Sequence, residues 1–364
     1  MARIDAFLKL GREQGCSDIH FAVGIPPLLR LLGNLSPIKY RPLTAQELES
    51  LIFEILTEQQ RAEFAAGHDL DCSYQSEEVG RFRISLFRKV SGIGAAFRLI
   101  PQNIPTLEAL GLPPAVKKFL DANQGLILVT GSTGTGKSTT LASMLDLLNR
   151  TRRLNIITLE DPIEHVHASQ TSLVVQREIG THVDSFAEGL RAALREDPDV
   201  ILVGELRDPV TIMMAMTAAE TGHLVLGTLH TTSATKTLDR ILDAMPTAQK
   251  AQAANFLAQH LRGVISQKLV KTADGRSRKA MVEIFVNTPA IANLITSGKI
   301  FQIPSVLQTG RDKGMQLMDQ ALMEALQRKE IDPDDAYVHA TNKQQFQRFV
   351  TDPDLLPQVN LSVS

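Results

Sequence analysis

The chain has no tryptophan, two cysteines in 364 residues and only 5% aromatic residues. Cys16 and Cys72 are too few and too far apart for a disulfide framework, which points to a reducing compartment. With few aromatics there are few platforms for unpaired bases, and a net charge of −2 supplies no general basic groove. A nucleic-acid translocase is therefore disfavoured. No run of 18 apolar residues occurs, and Met1-Ala2-Arg3-Ile4-Asp5 lacks the apolar core of a signal peptide. The expectation is a cytoplasmic protein that meets a membrane only through partners. Hydrophobic residues make up 43% of the sequence, ample for the cores of two domains.

The most informative stretch is Gly131-Ser132-Thr133-Gly134-Thr135-Gly136-Lys137-Ser138, a full G-x-x-x-x-G-K-[ST] phosphate-binding loop. The apolar run Leu126–Val129 precedes it as a strand, and a helical period follows from Thr139. Glycines allow a tight turn whose N–H groups converge on phosphate oxygens, and the next helix adds its positive end. Lys137 can reach the β- and γ-phosphates, and the Ser138 hydroxyl can hold Mg²⁺. The loop implies ATP as the ligand, bound by Gly131–Thr139.

The first hundred residues read as an α+β domain. A helical pattern over Ile4–Leu10 ends at Gly11, and Ile19–Val23 is strand-like. Thr44 and Glu47 form a capping box ahead of Leu48, Leu51, Ile52 and Ile55. Phe82, Ile84 and Leu86 alternate with Arg81, Arg83 and Ser85 as in a half-buried strand, and Gly94–Leu99 makes another. Residues 101–115, rich in proline, read as a linker with one short helix opened by Thr106. Beyond Val116, the runs Leu126–Val129, Ile156–Leu159, Val200–Val203 and Leu224–Leu226 alternate with helical segments, which predicts a parallel sheet covered on both faces. Ala251–Leu269 and Met315–Leu326 read as helical, and Val350–Ser364 as a mobile tail.

A hydrolase needs carboxylates near the terminal phosphate. Val200-Ile201-Leu202-Val203-Gly204-Glu205 supplies one, with glycine where aspartate is usual, and Glu160-Asp161 ends the preceding strand. In a parallel sheet the C-terminal strand ends share the ligand edge, so Glu205 and Glu160 divide the water-activating and metal-organising roles. Glu205 and Ser138 are the candidate Mg²⁺ ligands. His230 ends the Leu224–Leu226 strand and is a candidate phosphate sensor, with His223 a weaker one; His165, His167 and His182 read as surface or loop residues.

Four blocks carry a resemblance: Gly131–Thr139, Ile157–His165, Leu194–Asp208 and Ala219–His230. They resemble the Walker A, Asp, Walker B and His boxes of the secretion ATPase superfamily, most nearly the PilT-type pilus retraction ATPases. Gly15–His20, Gly24–Pro27 and Gly80–Arg83 match as well. The resemblance implies a PAS-like N-terminal α+β domain followed by a RecA-like P-loop ATPase domain with a helical C-terminal part. It also implies a homo-hexamer, with ATP between the two domains and arginines of the N-terminal region at the phosphates. Arg83 and Arg98 are the candidates here, ahead of Arg81 and Arg88; Arg195 and Arg207 are weaker. The implied partners are an inner-membrane pilus platform protein and a paralogous retraction ATPase. One motif departs. Where the retraction ATPases carry Ala-Ile-Arg-Asn-Leu-Ile-Arg-Glu, this chain has Ala290-Ile291-Ala292-Asn293-Leu294-Ile295-Thr296-Ser297, and the region from Gly275 onward resembles the accessory PilU-type paralogues.

Overall fold

The computed structural model describes residues 2–31, 34–100 and 103–356. Pro101 of the expected linker and residues 357–364 of the expected tail lie outside them. The chain divides into two compact units. One comprises residues up to Asn103 with Pro162–Val166, the other Ile104–Asp161 and the described chain from His167.

The first unit is α+β. Helices α1 (Asp5–Glu13), α2 (Ala45–Phe53) and α3 (Glu58–Ala65) accompany strands β1 (Asp18–Ala22), β2 (Leu28–Leu31), β3 (Asn34–Pro37), β4 (Leu70–Ser76), β5 (Gly80–Lys89) and β6 (Gly92–Ile100). The strands pair antiparallel in the order β3-β2-β1-β6-β5-β4. The alternation read from sequence sends Phe82, Ile84 and Leu86 into the core, where Phe97 meets Phe21 edge-to-face at 5.3 Å. The Thr44–Glu47 capping box opens α2 as expected. Gly11 does not end α1, which continues to Glu13. Its lack of a side chain serves packing, since a Cβ there would lie 2.5 Å from Ile19 Cδ1. The turn falls instead at Gly15, whose φ of 69° favours glycine.

In the second unit, β7 (Gly125–Thr130), β8 (Asn155–Glu160), β9 (Leu173–Glu178), β10 (Val200–Val203), β11 (Leu224–Leu229), β12 (Leu261–Lys271) and β13 (Arg278–Val286) form one sheet in the order β13-β12-β7-β11-β10-β8-β9. All neighbours are parallel except β12 and β13. Period-two alternation gives two cores. Leu126, Leu128, Ile201 and Val203 pack with α6 (Phe186–Ala193), α7 (Pro209–Glu220), α8 (Ala234–Ala244) and α9 (Lys250–His260), beside α10 (Pro289–Thr296) and α11 (Ile303–Thr309). Ile127, Val129, Val200 and Leu202 pack on the other face with α4 (Pro114–Lys118) and α5 (Lys137–Thr151). Leu107 and Leu112 join this second core, and the turn after Thr106 closes without a helix.

The C-terminal part is less helical than its pattern suggests. Ala251–Leu269 contains α9 but then becomes β12, so the helical expectation fails from Leu261 onward. Leu261, Val264, Ile265 and Leu269 keep helical spacing by coincidence. Leu261 and Val264 pack into the core on one face of the sheet and Ile265 into the core on the other, so both faces of β12 are largely buried and no strand-like alternation survives. Three further helices follow: α12 (Met318–Gln327), α13 (Pro333–His339) and α14 (Lys343–Phe346). Residues 350–356 pack back on these helices through Val350, Leu355 and Leu356, and the Thr351 amide donates to Asp334 at 2.6 Å.

Candidate active site

Four parallel strands deliver the candidate groups to one sheet edge. The glycine loop follows β7, Glu160 ends β8, Glu205 follows β10 and His230 follows β11. In the loop, Gly131, Gly134 and Gly136 have φ of 150°, 77° and 86°, conformations that L side chains rarely adopt. Helix α5 begins at Lys137 with no side-chain cap, and its positive N-terminal end opens on the loop. Lys137 is buried, and its Nζ donates to the Gly131 and Ser132 carbonyls at 2.9 and 3.0 Å. The ammonium is thereby held along the loop's own backbone, and Ser138 stays exposed.

Glu205 is held at both oxygens. His230 Nε2 lies 3.1 Å from Oε1, and Arg207 Nε lies 2.8 Å from Oε2. Arg207, a weaker candidate from sequence, thus touches the carboxylate directly, while its own side chain is 60% exposed. Glu160 Oε1 accepts from Thr158 Oγ1 at 2.6 Å and Gln176 Nε2 at 3.1 Å. The glycine of the Gly204-Glu205 pair has a steric cause. The Gly204 amide donates to the Leu159 carbonyl at 2.7 Å, and a Cβ at 204 would meet that oxygen at 3.1 Å and Glu160 Cα at 3.3 Å. A side chain there would require the end of β8 to give by a few tenths of an ångström.

His223 sits before the N-terminal end of β11, six strand residues or about 20 Å from the edge that carries His230. Its Nδ1 lies 2.9 Å from the Ala218 carbonyl at the turn after α7, away from the phosphate loop. His165 is buried rather than on the surface, and burial pushes its pKa down.

The candidate arginines of the first unit form part of one cross-strand row. Arg83 on β5 faces Arg98 on β6, which faces Asp18 on β1, which faces Arg30 on β2. Directly opposed residues share a face of the sheet. Arg98 Nε donates to Asp18 Oδ1 at 2.9 Å. Burial pushes the Asp18 pKa up, but hydrogen bonds from Arg98 and Ser17 outweigh it and hold the carboxyl below its ordinary value. Arg81 bonds Ser73 and Gln75, and Arg88 lies over the Phe64 ring and donates to its carbonyl.

Sequence reasoning missed Gln176 and Gln267. The amide of Gln267, on β12, donates to the Thr135 carbonyl at 2.7 Å and accepts from Thr140 Oγ1 at 2.8 Å. The available signal was a polar run, Ser266-Gln267-Lys268, set between Val264-Ile265 and Leu269-Val270.

Residues 66–355 match the family described as Type II/IV secretion system protein. The chain belongs to that family. It is 48% identical over 319 residues to the type IV pilus retractation ATPase PilT of Pseudomonas aeruginosa, covering 88% of this chain and 92% of that protein. It is 39% identical over 336 residues to the type IV pilus ATPase PilU of the same organism, covering 92% and 88%. The crystal structure of the pilus retraction motor PilT with bound ADP superposes with a TM-score of 0.89 at 41% identity, covering 96% of this chain and 99% of that one. This member of the family is an ATPase that binds nucleotide, with an N-terminal domain followed by a RecA-like domain. Among the described residues no helix is long and apolar enough to cross a membrane.

Proposed function

We propose that the chain is the ATP-hydrolysing motor of type IV pilus retraction. It works as a homo-hexamer at the cytoplasmic face of the inner membrane, acting through an inner-membrane platform protein. The observation that supports this most is the glycine loop with its buried Lys137 on the same sheet edge as the Glu205–His230–Arg207 cluster. Lys137 neutralises charge on the transferring phosphoryl group. Glu205 takes the proton of the attacking water, with His230 holding one carboxylate oxygen and Arg207 the other. Glu160, oriented by Thr158 and Gln176, is the alternative base. Arg83 and Arg98 supply further positive charge to the phosphates.

Among the described residues no three His, Cys, Asp or Glu side chains are grouped to hold a metal. With Glu160 as the base, the exposed Ser138 hydroxyl and the Glu205 carboxylate would suit Mg²⁺, which takes few protein ligands beside water and phosphate oxygens. Held there, it would supply positive charge against the phosphate oxygens.

A second reading, an accessory motor working beside a paralogous retraction ATPase, is favoured by α10. Thr296 and Ser297 are exposed where the retraction ATPases carry arginine and glutamate, and Ala292 replaces the other arginine. Deleting the gene and scoring twitching motility and surface piliation, with and without paralogues, tests both readings. Loss of retraction only when a paralogue is also absent would favour the second, and unchanged piliation in every background would reject both.

A further inference from the structure

We infer that Gln267 is a positioning residue for the nucleotide, acting by setting the direction of a phosphate-loop amide; this rests on the nucleotide-binding reading above. Gln267 is buried, at 3% exposure, at the point where β12 runs one residue past the end of β7. Beside it, Thr130 Oγ1 donates to Ser266 Oγ at 2.9 Å between two fully buried side chains, which locks the two strands in register.

Both ends of the Gln267 amide are used. Nε2 donates to the Thr135 carbonyl, and Oε1 accepts from Thr140 on the first turn of α5. Exchanging its nitrogen and oxygen would set oxygen against a carbonyl, so the orientation is unique. Two loop glycines make room for this residue. A Cβ on Gly131 would lie 2.5 Å from the Gln267 carbonyl oxygen, and one on Gly136 would lie 2.9 Å from its Nε2. The loop's shape is therefore complementary to Gln267 as well as to a phosphate.

The consequence follows from peptide geometry. In a planar trans peptide the carbonyl of one residue and the N–H of the next point in opposite directions. Holding the Thr135 carbonyl towards β12 turns the Gly136 N–H away from it, into the turn that leads to Lys137. Without that anchor the Thr135–Gly136 peptide, flanked by a glycine, rotates at little cost and its donor loses direction. Gln267 thus fixes in advance a donor that the phosphates would otherwise have to order on binding.

The test uses the full chain, with ADP binding measured by calorimetry alongside kcat and KM for ATP. Gln267→Leu keeps the volume and removes both bonds. It is expected to weaken ADP binding about tenfold, as for loss of one oriented donor to a charged group. Thr140→Val should weaken it less, and the double variant should match Gln267→Leu, because the threonine acts only through the glutamine. Val264→Ala, fully buried on the same strand, controls for general loosening and should lower Tm with ADP affinity unchanged. Unchanged affinity in Gln267→Leu, or an equal loss in Val264→Ala, overturns the inference. Absence of ADP binding by the unmutated chain would instead overturn the nucleotide reading beneath it.

Discussion

His230 Nε2 lies 3.1 Å from Glu205 Oε1, joining the end of β11 to the carboxylate that follows β10. The pair aims one carboxylate oxygen and leaves the other to Arg207. His230→Ala should lower kcat about tenfold or more while ATP affinity stays within about threefold, because it removes the group that orients Glu205. Single-turnover hydrolysis measures this. A full kcat in the variant would reduce His230 to a structural partner.

Lys137→Ala should lower turnover by about 10²-fold or more, the effect of losing one preorganised charge at a phosphoryl group. Steady-state ATPase assays on protein shown to be folded and assembled give the answer. A rate within about threefold of the unmutated chain would contradict the assignment.

Gly204→Ala tests the steric reading of the Gly-Glu pair. Its Cβ would press on the Leu159 carbonyl and on Glu160 Cα, and packed β-sheet edges yield little. The variant should lose about 1–3 kcal/mol of stability and also turnover, since both carboxylates hang from the displaced backbone. Unaltered Tm and kcat would mean that the strands simply part.

The Asp18–Arg98 contact predicts a pH signature. Because the Asp18 pKa is lowered on folding, its contribution to stability is present above the ordinary carboxylate value and is lost as pH falls through the depressed one. Asp18→Asn should be less stable than the unmutated chain by about 1 kcal/mol near neutral pH, a modest figure because Arg98 is 69% exposed. The gap should close as acid protonates Asp18. Urea unfolding of both proteins across that range gives the comparison, and a gap independent of pH would assign the loss to packing.

Much of this site was legible because its chemistry is local in sequence. The glycine loop, the carboxylates at strand ends and His230 each follow a short apolar run that becomes a strand of the parallel sheet. Three features were hidden for physical reasons. β12 is buried on both faces by the two cores, so its apolar spacing mimicked a helix, and Gln267 came to lie against the phosphate loop only in the folded chain. Gly11 is a packing glycine inside α1, and composition cannot tell this from a helix end. His223 and His230 bound the same strand, and only the strand's direction decides which lies at the active edge.

The most direct test of the account is pilus retraction in living cells that lack this chain and its paralogues, complemented with either the unmutated gene or Glu205→Gln. The substitution keeps the shape of the side chain and its contact to His230 while removing the charge that accepts a proton. The account predicts that the unmutated chain restores twitching, whereas Glu205→Gln leaves surface pili in place and unretracted. Restoration of twitching by Glu205→Gln to the unmutated level would contradict a motor driven by hydrolysis at this site.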